Sequence, residues 1–95
     1  MDMTLLTDQV REAESRNTDS ICIYFDGDGS PAAFGESAIR LHRYFPVLRL
    51  REIPSGGGSV TRAIRGFSLE AVIEKFRGKH RMLVDDYHVQ IMDIQ

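Results

Sequence analysis

A glycine-rich stretch at residues 55–59, Ser-Gly-Gly-Gly-Ser, separates two strand-like segments and limits how they can pair. The first segment, residues 47–53, places Leu48 and Leu50 on one side and arginines on the other. The second segment, residues 60–66, follows the glycines directly. A short glycine-rich connection suits a hairpin, so the two segments predict an antiparallel pair. An antiparallel sheet is therefore the expected centre of the fold.

Helix and strand patterns alternate along the rest of the chain. Residues 68–77 predict the best-defined helix, because Ser68 can cap it and apolar residues recur at helical spacing. Pro46 disfavours helical geometry before it and ends a helix predicted over residues 36–44. Further elements are a helix over residues 4–16, strands over residues 20–26 and 87–94, and weaker strand patterns at 31–34 and 82–84.

The resulting order, α-β-α-β-β-α-β, predicts an α+β fold: a mainly antiparallel sheet of four or five strands with two or three helices packed on one face. The 95 residues fit one domain over residues 1–95. Its core is expected to be thin, because a chain of this size buries only about two-thirds of its unfolded surface. Small domains are often stabilised by oligomerisation, so we expect a homodimer formed through an edge strand or the first helix.

The single cysteine and the N-terminal residues indicate the compartment. Cys22 has no intramolecular disulfide partner and is expected to be buried as a small apolar side chain, which fits a reducing environment. Residues 1–16 lack the basic and apolar regions of a signal peptide. No apolar run reaches the roughly 20 residues that cross a membrane. We therefore expect a cytoplasmic protein with no membrane partner.

Charge is distributed unevenly along the chain, although the formal net charge is only −2. Residues 1–39 carry eight acidic residues against two arginines, whereas residues 40–81 carry ten basic residues against three acidic ones. The basic segment can bind phosphates if its side chains share one surface, or it can form a solvated face that pairs with the acidic first helix. The candidate binding residues are six arginines and a tyrosine that can stack on bases: Arg40, Arg43, Arg49, Arg51, Arg62, Arg65 and Tyr44.

An acidic turn follows the first strand, where Asp26 and Asp28 alternate with glycines. This segment resembles the first motif of the haloacid dehalogenase phosphotransferases, in which a hydrophobic strand precedes Asp-x-Asp-Gly-Thr. The resemblance implies that Asp26 is the nucleophile, that Asp28 is the general acid/base and that both carboxylates hold Mg²⁺, with Asp85 and Asp86 as the later aspartates. It covers about ten residues, and the same residues also favour a plain hairpin turn.

The remaining motifs lack the specificity of an enzyme active site. The glycine-rich stretch has no lysine of a phosphate-binding loop, and the three histidines form no recognisable ligand set. We expect neither a metal nor a cofactor. The favoured interpretation is a non-enzymatic binding module for a protein or small molecule, similar in style to accessory proteins of mobile elements or phage. The alternatives are a nucleic-acid-binding protein that uses residues 40–81 and a small Mg²⁺-dependent phosphotransferase that uses Asp26 and Asp28.

Overall fold

The structure is a computed structural model that describes residues 8–25, 29–56, 58–84 and 88–94. The described residues form three helices and one sheet of six strands. The helices are α1 (Asp8–Ser15), α2 (Gly35–Tyr44) and α3 (Leu69–Phe76). The strands are β1 (Ile21–Phe25), β2 (Pro31–Phe34), β3 (Arg51–Gly56), β4 (Ser59–Arg65), β5 (Met82–Val84) and β6 (His88–Ile91). The predicted α+β class is confirmed, with six strands instead of four or five.

The strands lie in the order β3-β4-β2-β1-β6-β5, and every neighbouring pair is antiparallel. β3 and β4 form the hairpin predicted across the glycine-rich stretch, with Glu52 opposite Arg62. β2 is an additional strand whose Ala32 and Ala33 are fully buried between β1 and β4. Alanine has little preference for strands, so local propensity does not explain why this segment is extended. It is a strand because it pairs with a neighbouring strand on each side.

One face of the sheet holds the main core, and we call it the helix face because α2 and α3 cover it. Alternate residues of β1 and β6 point to this face, where they meet the apolar sides of both helices. The largest fully buried members of the cluster are Ile21, Ile23, Leu41, Ile64, Val72, Phe76, Val89, Ile91 and Ile94. Each such side chain contributes roughly 1.5–3 kcal/mol by leaving water, so this face provides most of the stability.

The opposite face of the sheet holds a smaller core, and we call it the α1 face. Val10 of α1 packs there against Ala32, Phe34 and Ala63. These residues come from β2 and β4, so α1 lies over the half of the sheet that contains these strands. The other half of the α1 face, formed by β1 and β6, carries more polar side chains.

β3 begins at Arg51 and not at residue 47 as the sequence predicts. Residues 45–50 instead form a turn in which the Leu48 N–H donates to the Phe45 carbonyl at 3.0 Å. Leu48 and Leu50 still pack against the core, but they do so from this turn. Alternation of leucine with arginine indicates that the leucines are buried and the arginines exposed. Both a turn and a strand can place side chains in this way.

The helix ends follow the predicted signals. The Ser68 hydroxyl accepts a hydrogen bond from the Ala71 N–H at 3.2 Å at the start of α3, and α2 ends at Tyr44, two residues before Pro46. Of the helix predicted over residues 4–16, Asp8–Ser15 is helical, and residues 1–7 lie outside the described residues. No helix among the described residues combines the length and apolar character needed to cross a membrane.

Candidate functional site

Two of the seven predicted binding residues, the buried Arg40 and the half-buried Tyr44, take part in packing and hydrogen bonds within the fold. Arg40 is only 7% exposed, and its guanidinium donates to Asn17 Oδ1 at 2.6 Å and to the Ser20 carbonyl at 3.0 Å. The Tyr44 ring packs edge-on against Phe76, with ring centroids 4.9 Å apart. Arg40 therefore fastens α2 to the segment between α1 and β1, and the half-buried Tyr44 packs against the edge of the core.

The β3–β4 hairpin sends its arginines to opposite faces of the sheet, as a spacing of three residues requires. Arg62 lies on the helix face, where its Nε is 3.4 Å from Glu52 Oε2. Arg65 lies on the α1 face, and its guanidinium carbon is 5.8 Å from the centroid of the Phe34 ring. The register of the hairpin places Arg51 on the α1 face as well.

The remaining two predicted arginines are exposed. Arg43 lies on α2, which covers the helix face, and Arg49 lies in the turn that follows α2. The seven predicted residues are thus divided between the interior and both sides of the sheet. Arg51 and Arg65 are the pair that the described residues place on the α1 face, so the six arginines do not share one surface, which is the condition for phosphate binding by the whole basic segment.

The acidic segment lies between β1 and β2, and both Asp26 and Asp28 fall outside the described residues. Phe25 pairs with Pro31, so the two strands on either side of this segment are antiparallel neighbours. The haloacid dehalogenase resemblance implies a parallel sheet with crossover helices, whereas every strand pair among the described residues is antiparallel. The resemblance therefore does not extend from the turn sequence to the fold.

A buried polar network joins α1, β1 and α2. Glu14 is 6% exposed, and its carboxylate accepts hydrogen bonds from the Ser37 N–H at 2.8 Å and from the Ser37 hydroxyl at 2.7 Å. The same hydroxyl accepts from the Cys22 N–H at 2.8 Å and from the Asn17 amide at 3.0 Å. Because a buried polar group costs free energy unless it is hydrogen-bonded, these contacts allow the carboxylate to remain in the interior.

A cleft of about 260 Å³ opens beside this network, between the C-terminal end of α1 and the α1 face of the sheet. Its floor is formed by β1 and β6, where Tyr24 lies opposite His88 and Cys22 lies opposite Gln90. The rings of Tyr24 and His88 are nearly parallel, with an interplanar angle of 18° and centroids 5.9 Å apart. Residues 16–20 line the side of the cleft. The cleft therefore has an aromatic floor beneath a polar wall.

Hydrogen-bond acceptors line this cleft. The Gln90 amide nitrogen donates to the Ser20 hydroxyl at 3.2 Å, and that hydroxyl donates to Asp19 Oδ1 at 3.3 Å. The amide oxygen of Gln90 receives no hydrogen bond from the other described residues. The oxygens of Gln90 and Asp19 can therefore accept hydrogen bonds from a molecule in the cleft.

Three titratable groups in or beside the cleft, Cys22, Tyr24 and Glu14, are shifted toward their protonated forms. Burial raises the pKa of the Cys22 thiol, and the nearby Glu14 carboxylate raises it further. Burial also raises the pKa of the Tyr24 hydroxyl. It raises the pKa of the Glu14 carboxyl as well, although hydrogen bonds from Ser37 oppose that rise. A cysteine is nucleophilic as the thiolate, so these shifts work against nucleophilic catalysis by Cys22.

A comparison with known proteins found no matching family model, no matching curated protein and no matching solved structure. The function has to be inferred from the chemistry of the chain itself. Within the part of the chain that the structure describes, no three His, Cys, Asp or Glu side chains come together as a metal ion would require. The cleft is the arrangement of side chains with the clearest capacity to bind a molecule.

The cleft residues are absent from the sequence prediction, although a signal for them is present. In β1, Cys22 and Tyr24 alternate with isoleucines, and in β6, His88 and Gln90 alternate with valine and isoleucine. Such alternation indicates a strand with one face in the core and the other toward a more polar surface. Interpretation of residues 20–26 as a continuous apolar run predicts a buried cysteine, whereas Cys22 is only half-buried and lies beside the cleft.

Proposed function

We propose that the protein is a non-enzymatic binding module for a small, planar, heteroaromatic molecule that carries amino groups, such as a nucleobase or a nucleoside. The observation that carries the proposal is the cleft whose floor presents the parallel rings of Tyr24 and His88. The two rings are stacked on each other, and a planar ligand can add to this stack, since aromatic pairs contribute about 0.5–1.5 kcal/mol beyond the area they bury. The amino groups would donate to the oxygens of Gln90 and Asp19.

The volume of the cleft limits the size of the ligand. About 260 Å³ is just below the roughly 300–1,000 Å³ of sites that take drug-sized molecules. A single base or nucleoside suits this volume, whereas a dinucleotide cofactor is too large for it. The proposal is therefore restricted to ligands with one or two rings.

Protonated side chains support binding over catalysis at this site. The raised pKa values keep the Cys22 thiol and the Tyr24 hydroxyl uncharged at neutral pH, so both act as hydrogen-bonding groups and neither is an activated nucleophile. We also propose that the module acts as a homodimer, because a core of this size often needs stabilisation by a partner.

Ligand-observed NMR with a panel of nucleosides tests the proposal. We expect the wild type to bind a nucleoside. Tyr24→Leu should weaken the affinity about tenfold or more, because the substitution removes the ring, whereas Tyr24→Phe should largely retain the affinity. His88→Ala should weaken binding too, because it removes the second ring of the cleft, and His42→Ala is its matched control, since it removes an imidazole on α2, outside the cleft. Absence of binding at millimolar nucleoside, or equal binding by Tyr24→Leu, would contradict the proposal. Chemical conversion of the ligand, detected by mass spectrometry, would contradict the non-enzymatic part.

Single-stranded nucleic acid is a second candidate ligand, favoured by one observation. Arg65, Ala32, Tyr24 and His88 lie opposite one another on successive strands and form a row across the α1 face. Bases stacked on the two rings would bring their phosphates toward the arginine. Oligonucleotide affinity should then fall steeply with salt and decrease in Arg65→Ala, but not in Arg62→Ala, which removes an arginine from the opposite face. Equal effects of the two substitutions would contradict this candidate.

A further inference from the structure

The two edges of the sheet differ in how well they are protected against pairing with another strand. β3 carries Arg51, Glu52 and Pro54, and its register with β4 shifts between Pro54 and Gly56. Charged residues, proline, bulges and shortness of the strand are among the devices by which edge strands avoid association, and β5 has only the last of these, since it is three residues long. β5 has the sequence Met-Leu-Val and contains no charged residue and no proline. An exposed edge of this composition favours pairing with a further strand.

The apolar side chains of β5 are exposed on both faces of the sheet. Leu83 is 47% exposed and lies opposite Gln90, on the α1 face. Val84 is 65% exposed and lies opposite Val89, on the helix face. A strand that paired with β5 would cover both side chains at once. A partner that bound only one face of the sheet would cover only one of them.

The backbone of β5 also has hydrogen-bonding groups directed to the open edge. The Arg81 carbonyl accepts a hydrogen bond from the Met92 N–H at 2.9 Å, so the backbone groups of Arg81 point toward β6. Successive residues of an antiparallel strand direct these groups to alternate sides. The N–H and C=O groups of Met82 and Val84 therefore point away from β6, to the side where the described strands of the sheet end.

We propose that β5 pairs in the antiparallel direction with β5 of a second copy of this chain, with Leu83 opposite the partner's Leu83. Met82 then lies opposite the partner's Val84, and each such pair can exchange two backbone hydrogen bonds. On the α1 face the two leucines pack together, and on the helix face each valine packs on a methionine. The inference goes beyond the ligand-binding proposal and does not depend on it.

The charges that flank β5 identify a second copy as the partner. Lys79 and Arg81 precede the strand, where Arg81 also forms an ion pair with Asp93 at 3.1 Å, and Asp85 and Asp86 follow it. The two aspartates lie outside the described residues and enter only through their charge. Antiparallel pairing of two identical strands brings the basic flank of each copy beside the acidic flank of the other. Parallel pairing would instead place like charges together, which is unfavourable.

Sedimentation of the wild type and of two matched variants tests the inference. We expect the wild type to sediment at twice its mass of 10.8 kDa at micromolar concentration, and Val84→Lys to raise the dissociation constant at least about tenfold, because it places a charge in the interface. Val47→Lys is the matched control, since Val47 is 92% exposed in the turn before β3. A monomeric wild type at about 200 μM, or equal dimerisation of both variants, would overturn the inference.

Hydrogen exchange measured at two protein concentrations locates the interface. The amides of Met82 and Val84 should exchange more slowly in the concentrated sample, because dimerisation closes the open edge. A dimer in which these amides exchange at the same rate after dilution would place the interface elsewhere and overturn the inference. Val84→Lys should still bind the cleft ligand, so loss of the dimer and loss of the ligand site are distinguishable.

Discussion

Replacing Ser37 by alanine removes one oxygen atom, but that oxygen connects three elements of the fold. The Ser37 hydroxyl is fully buried, donates to the Glu14 carboxylate at 2.7 Å and accepts from the Cys22 N–H at 2.8 Å. The substitution leaves a buried carboxylate without one of its donors and a backbone N–H of β1 without its acceptor. Both losses act in the same direction, so we expect Ser37→Ala to be strongly destabilising.

The magnitude follows from the two hydrogen bonds. A hydrogen bond to a charged group is worth about 1.5–3 kcal/mol, and an unsatisfied buried donor costs about 1–3 kcal/mol. Ser37→Ala should therefore lower the free energy of unfolding by about 3–5 kcal/mol, a large fraction of the stability of a small protein. For a chain of this length the Tm should fall by roughly 15–30 °C.

Urea unfolding followed by circular dichroism measures this loss. Ser15→Ala is the matched control, because the Ser15 hydroxyl is exposed on α1 and donates only to the Glu12 carbonyl. We expect the control to change the free energy of unfolding by no more than about 0.5 kcal/mol. A loss below about 1 kcal/mol for Ser37→Ala would refute the view that this hydroxyl is what keeps the carboxylate in the interior.

The effect of Ser37→Ala should also depend on pH. Burial raises the pKa of the Glu14 carboxyl above its usual 4.5, and the Ser37 hydroxyl opposes the rise. Without that hydroxyl the folded-state pKa is higher still. A raised folded-state pKa means that stability is lost as pH increases from 4.5 through the folded-state value. The deficit of the variant should therefore be smallest below pH 4.5 and largest at neutral pH, as measured by urea unfolding at several pH values.

Three further predictions concern the same half of the molecule. Arg40→Met should cost about 2–4 kcal/mol in urea unfolding, because it removes a buried donor to several oxygens, whereas Arg43→Met at an exposed position of α2 should stay within about 0.5 kcal/mol. Gly35→Ala should lower the Tm more than Gly66→Ala: both have positive φ, 58° and 73°, but only at Gly35 would the added Cβ approach a side chain, at 3.1 Å. Because burial raises the pKa of its thiol, Cys22 should react with iodoacetamide at pH 8 several-fold more slowly in the native protein than in urea, and equal rates would contradict this.

Elements with a strong local pattern could be predicted from the sequence. Residues 68–77 combine a capping serine with apolar residues at helical spacing, and the structure has a helix over Leu69–Phe76. The β3–β4 hairpin likewise follows from the glycine-rich stretch between two strand-like segments. In these regions the turn chemistry and the hydrophobic period agree with the tertiary packing, so local interactions are sufficient to specify the element.

Elements that depend on distant partners could not be predicted with the same success. β2 consists of Pro-Ala-Ala-Phe, which has little strand propensity, and it becomes a strand because β1 and β4 pair with it on both sides. β3 is displaced along the chain because Leu48 and Leu50 reach the core from a turn. Sequence patterns report which side chains are buried, but the partner that buries them is set by the whole fold.

The site could be predicted only in part for the same reason. Arg40 carries a charge that suggests a binding role, yet it lies beside Leu41 on the buried side of α2 and bonds to Asn17, which is 23 residues away. Positive charge in the sequence does not show whether an arginine is exposed. The alternation in β1 and β6 does indicate a polar face, but the cleft forms only where the end of α1 overhangs it.

The position of β1, two strands in from the β5 edge, determines how the clefts of the proposed dimer are arranged. Antiparallel pairing keeps the α1 faces of both copies on the same side of the joined sheet, and strands about 4.8 Å apart put the two β1 strands roughly 24 Å from each other. A bivalent ligand, with two bases joined by a flexible linker of that reach, would bind both clefts together. Its avidity would exceed that of a single nucleoside without any new contact.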